Sequence, residues 1–176
     1  MNAITAPTDS SDLPELRIEG AVATIRLRRP AQANRLSADD LERLAALIAE
    51  VDARPEVLVL LLRGSGKYFC SGYDIGSIGA ERKVDFEGVV DALEMARAVT
   101  VAVLHGGVYG GATDLALACD FRVGATGIDM FMPAARLGLH YYRSGLERYA
   151  VSYTHLTLPT ILLVEITVVA VSLKKK

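Results

Sequence analysis

Two uninterrupted apolar runs, each ending in glycine-bearing turns, constrain this chain more than any other feature. "VLVLLLRG" leads into "GSGKYFCSGYD", and "TVAVLHGG" leads into "GGVYGGATD". Apolar runs of this length bounded by turns predict strands buried on both faces. They fall at residues 57–63 and 100–104. Such strands need covering layers, and the intervening sequence supplies helices. "SADDLERLAALIAEVDARP" has Ser37 as N-cap and Asp39 and Asp40 in the first turn. Leu41, Leu44, Leu47, Ile48 and Val51 make one apolar face, and Pro55 ends the segment. "VDFEGVVDALEMARAV" predicts a second helix. Two short strands are predicted at 15–18 and 22–27, split by a turn at Gly20. "LALACDFRVGA" passes from helix to strand, and "IDMFMPAARLGLHYYRSGLERYA" gives a short strand, a loop and the start of a helix. Strand and helix alternate, which predicts α/β layers.

Composition sets outer bounds. An apolar fraction of 51% fits a folded core and argues against disorder. A net charge of −2 gives no bulk attraction to nucleic acid or to an anionic membrane. Cys70 and Cys119 lie in apolar contexts without metal-ligand spacing, so they read as reduced core residues of a cytoplasmic protein, and no metal site is expected. Residues 1–14 lack a basic region followed by an apolar run and read as a flexible polar leader.

The second turn carries the chemical question. "GGVYGGATD", residues 106–114, opens a helix, and exposed backbone N–H groups at such a place suit an anion. The candidates are a phosphate, a developing oxyanion, or nothing beyond a tight turn. The GxxxxGK[ST] phosphate-loop pattern is missing, with no lysine in the segment.

Taken with their flanks, the two turns resemble those of the crotonase, or enoyl-CoA hydratase/isomerase, superfamily. The resemblance rests on "P-x-x-x-N-x-L" at 30–36, "F-C-x-G-x-D" at 69–74, the "G-x-x-x-G-G" turn running into "D-L-A-L-A-C-D", and "M-P-A-A-R-L-G-L". It spans residues 16 to 150. It implies a spiral of ββα units and stabilisation of a thioester enolate. By the same resemblance, the backbone N–H groups of Tyr73 and Gly111 are the oxyanion donors and Asp114 is the acid/base candidate. Asp114 lies three residues after Gly111, so a helix carries both on one face. The resemblance places acyl-CoA contacts at Arg28, Arg29, Ala31, Asn34, Phe69, Ser71, Gly72, Asp74, Ile75, Tyr109, Gly110, Pro133 and Leu139. Arg28 and Arg29 would meet CoA phosphates, and Phe69 and Ile75 would line the acyl path. Asp74 reads as a residue that orders its loop. Coenzyme A is part of the substrate, so no separate cofactor is implied. Homotrimers or hexamers are the implied assemblies, with neither nucleic acid nor membrane as a partner.

Two departures qualify the match. Hydratases of the family carry glutamate where this chain has Asp114, and a second glutamate where it has Ala134. A methyl group cannot transfer a proton, so two-carboxylate water addition is in question. His140, Tyr141 and Tyr142 are alternative proton carriers, though they read first as packing residues. A weakly catalytic acyl-CoA-binding homologue is the rival reading.

Residue usage also breaks near residue 150. All 15 glycines and all 14 arginines precede it. Residues 151–176, "VSYTHLTLPTILLVEITVVAVSLKKK", back-translate at 151–160 and 168–176 into sequences resembling sequencing-library adapters. A membrane anchor is the alternative, but Pro159 and Glu165 interrupt the apolar stretch. The expected organisation is therefore a leader at 1–14, an incomplete acyl-CoA domain at 15–150 and a non-native tail at 151–176. An inactive fragment is expected of the chain as it stands.

Overall fold

The computed structural model describes residues 12–74, 84–138 and 142–153. Strand β1 (Glu15–Glu19) turns back on β2 (Val22–Arg26) in an antiparallel pair, with Leu16 opposite Ile25. Helix α1 (Ala38–Asp52) then crosses to β3 (Val59–Arg63), and α2 (Phe86–Glu94) crosses to β4 (Val99–Leu104). Strand β5 (Gly107–Tyr109) and α3 (Gly111–Ala118) lead to β6 (Phe121–Gly124). Strand β7 (Asp129–Phe131) and α4 (Arg143–Tyr153) follow. The main sheet runs β1-β2-β3-β4-β6 and is parallel from β2 onward. A second sheet pairs β5 with β7 in parallel. The α/β layering expected from the alternating pattern is the architecture found.

Helix α1 forms as its sequence predicts. The Ser37 side chain accepts from the Asp40 amide while Asp40 accepts from the Ser37 amide, a reciprocal capping box. Leu41, Leu44, Leu47, Ile48 and Val51 are all buried. They join Ile25, Leu60, Leu62 and Ala102, alternate residues of the central strands, in one core. The strand predicted at 57–63 begins two residues later, at Val59: Val57 is buried before the strand begins, and Leu58 is exposed.

The glycine segment is more regular than a loop. Residues 107–109 form β5, so the sequence hides a strand that starts on the second glycine of one pair and ends just before the next pair. Its partner β7 is supplied by "DMF", and Tyr109 stands opposite Phe131. This small sheet ties the segment before Pro133 to the turn that opens α3. The residues 1–11 of the leader and 154–176 of the tail lie outside the described residues. Among the described residues no helix is long and apolar enough to cross a membrane.

Candidate functional site

The two glycine-bearing turns lie side by side. Cys70 bridges to Val108: its amide donates to Gly107 O at 3.4 Å, and Tyr109 N–H donates to Cys70 O at 3.0 Å. On its other side the same segment bridges Leu36 to Tyr73. Leu36 N–H donates to Gly72 O at 2.9 Å. In a trans peptide the C=O of one residue and the N–H of the next point oppositely. The Tyr73 N–H is therefore turned away from Leu36, toward the β5–α3 side.

Gly72 makes that reversal possible. Its φ of +92° lies where side chains are strained. A Cβ there would stand 2.6 Å from Tyr109 O and 2.9 Å from Gly111 N. The Gly72 backbone thus abuts the Gly111 amide, and the Tyr73 amide is the next along the chain. Helix α3 begins at Gly111, and the first amides of a helix have no intrahelical acceptor. The positive end of its dipole adds to their pull on an anion. The phenyl ring of Phe86 lies against Gly111 and stacks, tilted, with Tyr73 at 5.8 Å between centroids. Phe86 also meets Tyr142 edge-on at 6.4 Å. An aromatic wall therefore stands beside the paired amides.

Distant residues hold α3 in place. Arg122 on β6 donates to the carbonyls of Ala116, Leu117 and Cys119 at the helix C-terminus. There its positive charge also meets the negative end of the dipole. Burial lowers its pKa from the usual arginine value. Asp120 accepts from Thr100 N and Oγ1 at 2.9 and 3.0 Å, pinning the end of α3 to β4. At the other end Gly110 N–H donates to Phe131 O at 2.9 Å, and Thr113 Oγ1 donates to Gly110 O at 2.7 Å.

Asp114 is fully buried, one turn into α3. Its Oδ1 lies 3.6 Å from Nη1 of Arg148 on α4. The same guanidinium meets Glu94 Oε2 at 2.5 Å through Nε, and Asp91 Oδ1 through Nη2. Burial disfavours the Arg148 charge, but Glu94, Asp114 and Asp91 outweigh it, so its pKa rises above the ordinary arginine value. Sequence reasoning passed over Arg148, which stands in an unremarkable helix start. The only available signal was an arginine on a short amphipathic segment, and its partners come from two other helices.

The turn residues Ser71, Gly72, Tyr73, Tyr109, Gly110, Gly111 and Asp114 are gathered in one place. Others from the expected binding set have different work. Phe69 is wholly inside the core, so it packs the turn from beneath and does not line an acyl path. Asn34 is buried, and its Nδ2 donates to the carbonyls of Ser65, Tyr68 and Phe69 at 2.8, 2.8 and 3.1 Å. Its Oδ1 accepts from Arg29 N and Ser65 Oγ. With its carboxamide so engaged, Asn34 shapes the turn and has no amide group to offer a ligand. Arg29 is bonded to both Asp40 carboxylate oxygens, at 2.9 and 3.2 Å, so its guanidinium anchors α1 and is not a phosphate partner. Arg28 remains half-exposed, 3.5 Å from Glu15, and can reach a solvent-borne anion. Ala31 is exposed in a short 3₁₀ turn. Asp74 lies 3.8 Å from Arg35 and donates its amide to Leu36 O, in keeping with a loop-ordering role. Tyr109 donates its hydroxyl to Asp129 at 2.9 Å, which raises its pKa. Pro133 and Ala134 follow β7 by two and three residues, and Ala134 offers only a methyl group there. Ile75, Leu139, His140 and Tyr141 lie outside the described residues. Among the described residues no cluster of acidic, histidine or cysteine side chains is arranged to hold a metal ion.

The Gly72 turn thus meets the start of α3, with the buried Asp114 carboxylate one turn into the helix. The family model for enoyl-CoA hydratase/isomerase matches residues 17–155, and the chain belongs to that family. It is 30% identical over 141 residues to a short-chain enoyl-CoA hydratase of Clostridium acetobutylicum, covering 76% of this chain and 54% of the relative. It is also 30% identical over 123 residues to a peroxisomal Δ3,5-Δ2,4-dienoyl-CoA isomerase of Arabidopsis thaliana, covering 59% and 44%. A solved enoyl-CoA hydratase/isomerase family protein from Hyphomonas neptunium matches with a TM-score of 0.72 and 29% identity, over 82% of this chain and 60% of that one. The chain spans about half the length of the curated relatives it matches.

Proposed function

We propose that the protein acts on enoyl-CoA thioesters, holding the thioester oxygen between the N–H groups of Tyr73 and Gly111 while Asp114 moves a proton. Withdrawal of a proton next to the carbonyl would place charge on the oxygen, where two fixed dipoles and the α3 N-terminus are worth most. Backbone donors need no reorganisation as that charge develops. Asp114 is the single proton carrier in this reading, because Ala134 stands where relatives of the resembled type carry a second glutamate. The coenzyme A moiety arrives as part of the substrate, with Arg28 available to its phosphates. The observation that supports the reading is the reversal at Gly72, whose backbone abuts the Gly111 amide, with Asp114 one helical turn beyond.

Steady-state turnover of short 2-enoyl and 3-enoyl thioesters tests it. Asp114→Asn should lower kcat by about 10²-fold or more with little change in KM. Equal and measurable rates for the variant and the parent chain would remove Asp114 from the chemistry. Ala134 favours a second reading, an acyl-CoA-binding homologue with little catalysis. Saturable thioester binding without hydration or isomerisation would select it. A homotrimer or hexamer is the assembly we propose for the whole protein, and light scattering would measure it.

A further inference from the structure

Helix α4 brings one buried cation to three carboxylates on two other helices. Arg148 is 5% exposed, whereas the side chains of Glu94 and Asp91 are 25% and 47% exposed and keep contact with water. Asp114 is 0% exposed. Water can therefore solvate two of the three anions, but Asp114 depends on protein groups. A carboxylate removed from water protonates unless an opposite charge or hydrogen bonds hold it ionised. Among the described residues Arg148 is the cation within ion-pair distance of Asp114. A guanidinium does not lose its proton at working pH, so this charge is constant.

The packing around α3 specifies the rest of the field. Helix α2 contributes Asp91 and Glu94, with Glu87 reached through the Ser144 hydroxyl. Helix α4 contributes Arg148, and its Tyr149 meets Thr113. Strand β5 contributes Tyr109, already bonded to Asp129, and β4 carries no titratable side chain. The charged side chains that meet Arg148 and Ser144 in this cluster, Asp91, Glu94, Glu87 and Asp114, are all acidic.

We propose that Arg148 is the positioning residue for Asp114: it keeps this buried carboxylate ionised and fixes its Oδ1, so that Asp114 enters the reaction as a proton acceptor. The role rests on the proposed function above, in which Asp114 carries the proton. Arg148 itself touches neither substrate nor reacting atoms. Its influence passes through the ion pair.

The test uses the full chain with ¹³C-labelled aspartate, the Asp114 carboxyl signal being assigned by its loss in Asp114→Asn. In the parent chain this carbon should show no protonation step within the usual carboxylate range. A protonation midpoint in or above that range would overturn the proposal without any variant at Arg148. In Arg148→Met the midpoint should rise by about 1 to 3 pH units, the span expected on losing an adjacent opposite charge. Arg148→Lys should recover most of that shift. An unmoved midpoint in Arg148→Met would also overturn it. Turnover gives a second readout: the acidic limb of the kcat/KM profile should move upward with the midpoint, while KM at neutral pH changes less than about 3-fold. A limb that stays in place while the midpoint moves would also overturn it. If Asp114→Asn turns over as fast as the parent chain, the catalytic reading fails, and this failure is distinct from an unmoved Asp114 titration.

Discussion

The two flanks of the Gly72 turn bury polar side chains in opposite ways. On one side Asn34 and Asp40 form a neutral, closed scaffold. Asn34 engages three carbonyls and two donors, and Asp40 accepts from both Arg29 nitrogens and from the Ser37 amide and hydroxyl. One cation meets one anion, and neutral hydrogen bonds complete the set. On the other side Arg148 faces three carboxyl groups, so one cation is shared among three acidic side chains. A closed set of this kind serves rigidity. A buried carboxylate held by a shared cation costs desolvation energy, and a site that moves protons has use for it. The difference teaches where to look for chemistry: beside the unbalanced cluster and away from the balanced one.

The largest effect should come from the residue between the two flanks. Gly72→Val puts a branched side chain at φ +92°, with its Cβ 2.6 Å from the Tyr109 carbonyl. Both neighbours are backbone atoms that cannot swing aside. We expect turnover to fall by about 10²-fold or more, since the Tyr73 amide loses its direction. Near-normal turnover would show that neither flank depends on this reversal.

Stability should divide the flanks more sharply than activity does. Asn34→Ala strands the carbonyls of Ser65, Tyr68 and Phe69 in the interior, and the expected loss is about 2 to 4 kcal/mol in urea unfolding. Asp114→Asn is nearly isosteric and leaves Arg148 paired with Asp91 and Glu94. Its expected cost is within about 1 kcal/mol, because no unpaired buried charge is created. The contrast breaks if Asp114→Asn destabilises as much as Asn34→Ala.

How much of this was legible in the sequence follows from the range of each interaction. The Ser37 cap and the apolar face of α1 are local, and both were read in place. So were the buried strands, whose apolar runs leave few alternatives. The neighbouring of residues 72 and 111 came only through resemblance, because spacing along the chain does not reveal which turns meet. Strand β5 stayed hidden because glycines flank its three residues and mask strand propensity. Arg29 was expected to face a phosphate, and its real partner lies eleven residues on, inside a helix cap that its own sequence window does not show. Arg148 was missed for the same reason on a larger scale: its partners belong to α2 and α3.

A smaller effect would sharpen the comparison from the scaffold side. Cys70 donates its thiol to Asn34 O at 3.0 Å and is fully buried. Burial pushes its pKa up from 9.0 to about 12, against a partial opposing pull from the Gly72 amide. The folded chain therefore keeps this proton over a range in which the unfolded chain releases it. Above pH 9.0 the unfolded state binds fewer protons, so folding stability must fall as pH rises, and the loss is complete near pH 12. From pH 9.0 to about pH 10 the expected fall is about 1 kcal/mol. Other groups titrate there as well, so the measured quantity is the difference in slope between the parent chain and Cys70→Ala under urea. A steeper alkaline loss in the parent chain is expected. Equal slopes would mean that water reaches the Asn34 side in the native state, and the scaffold would then be no more closed than the Arg148 cluster opposite.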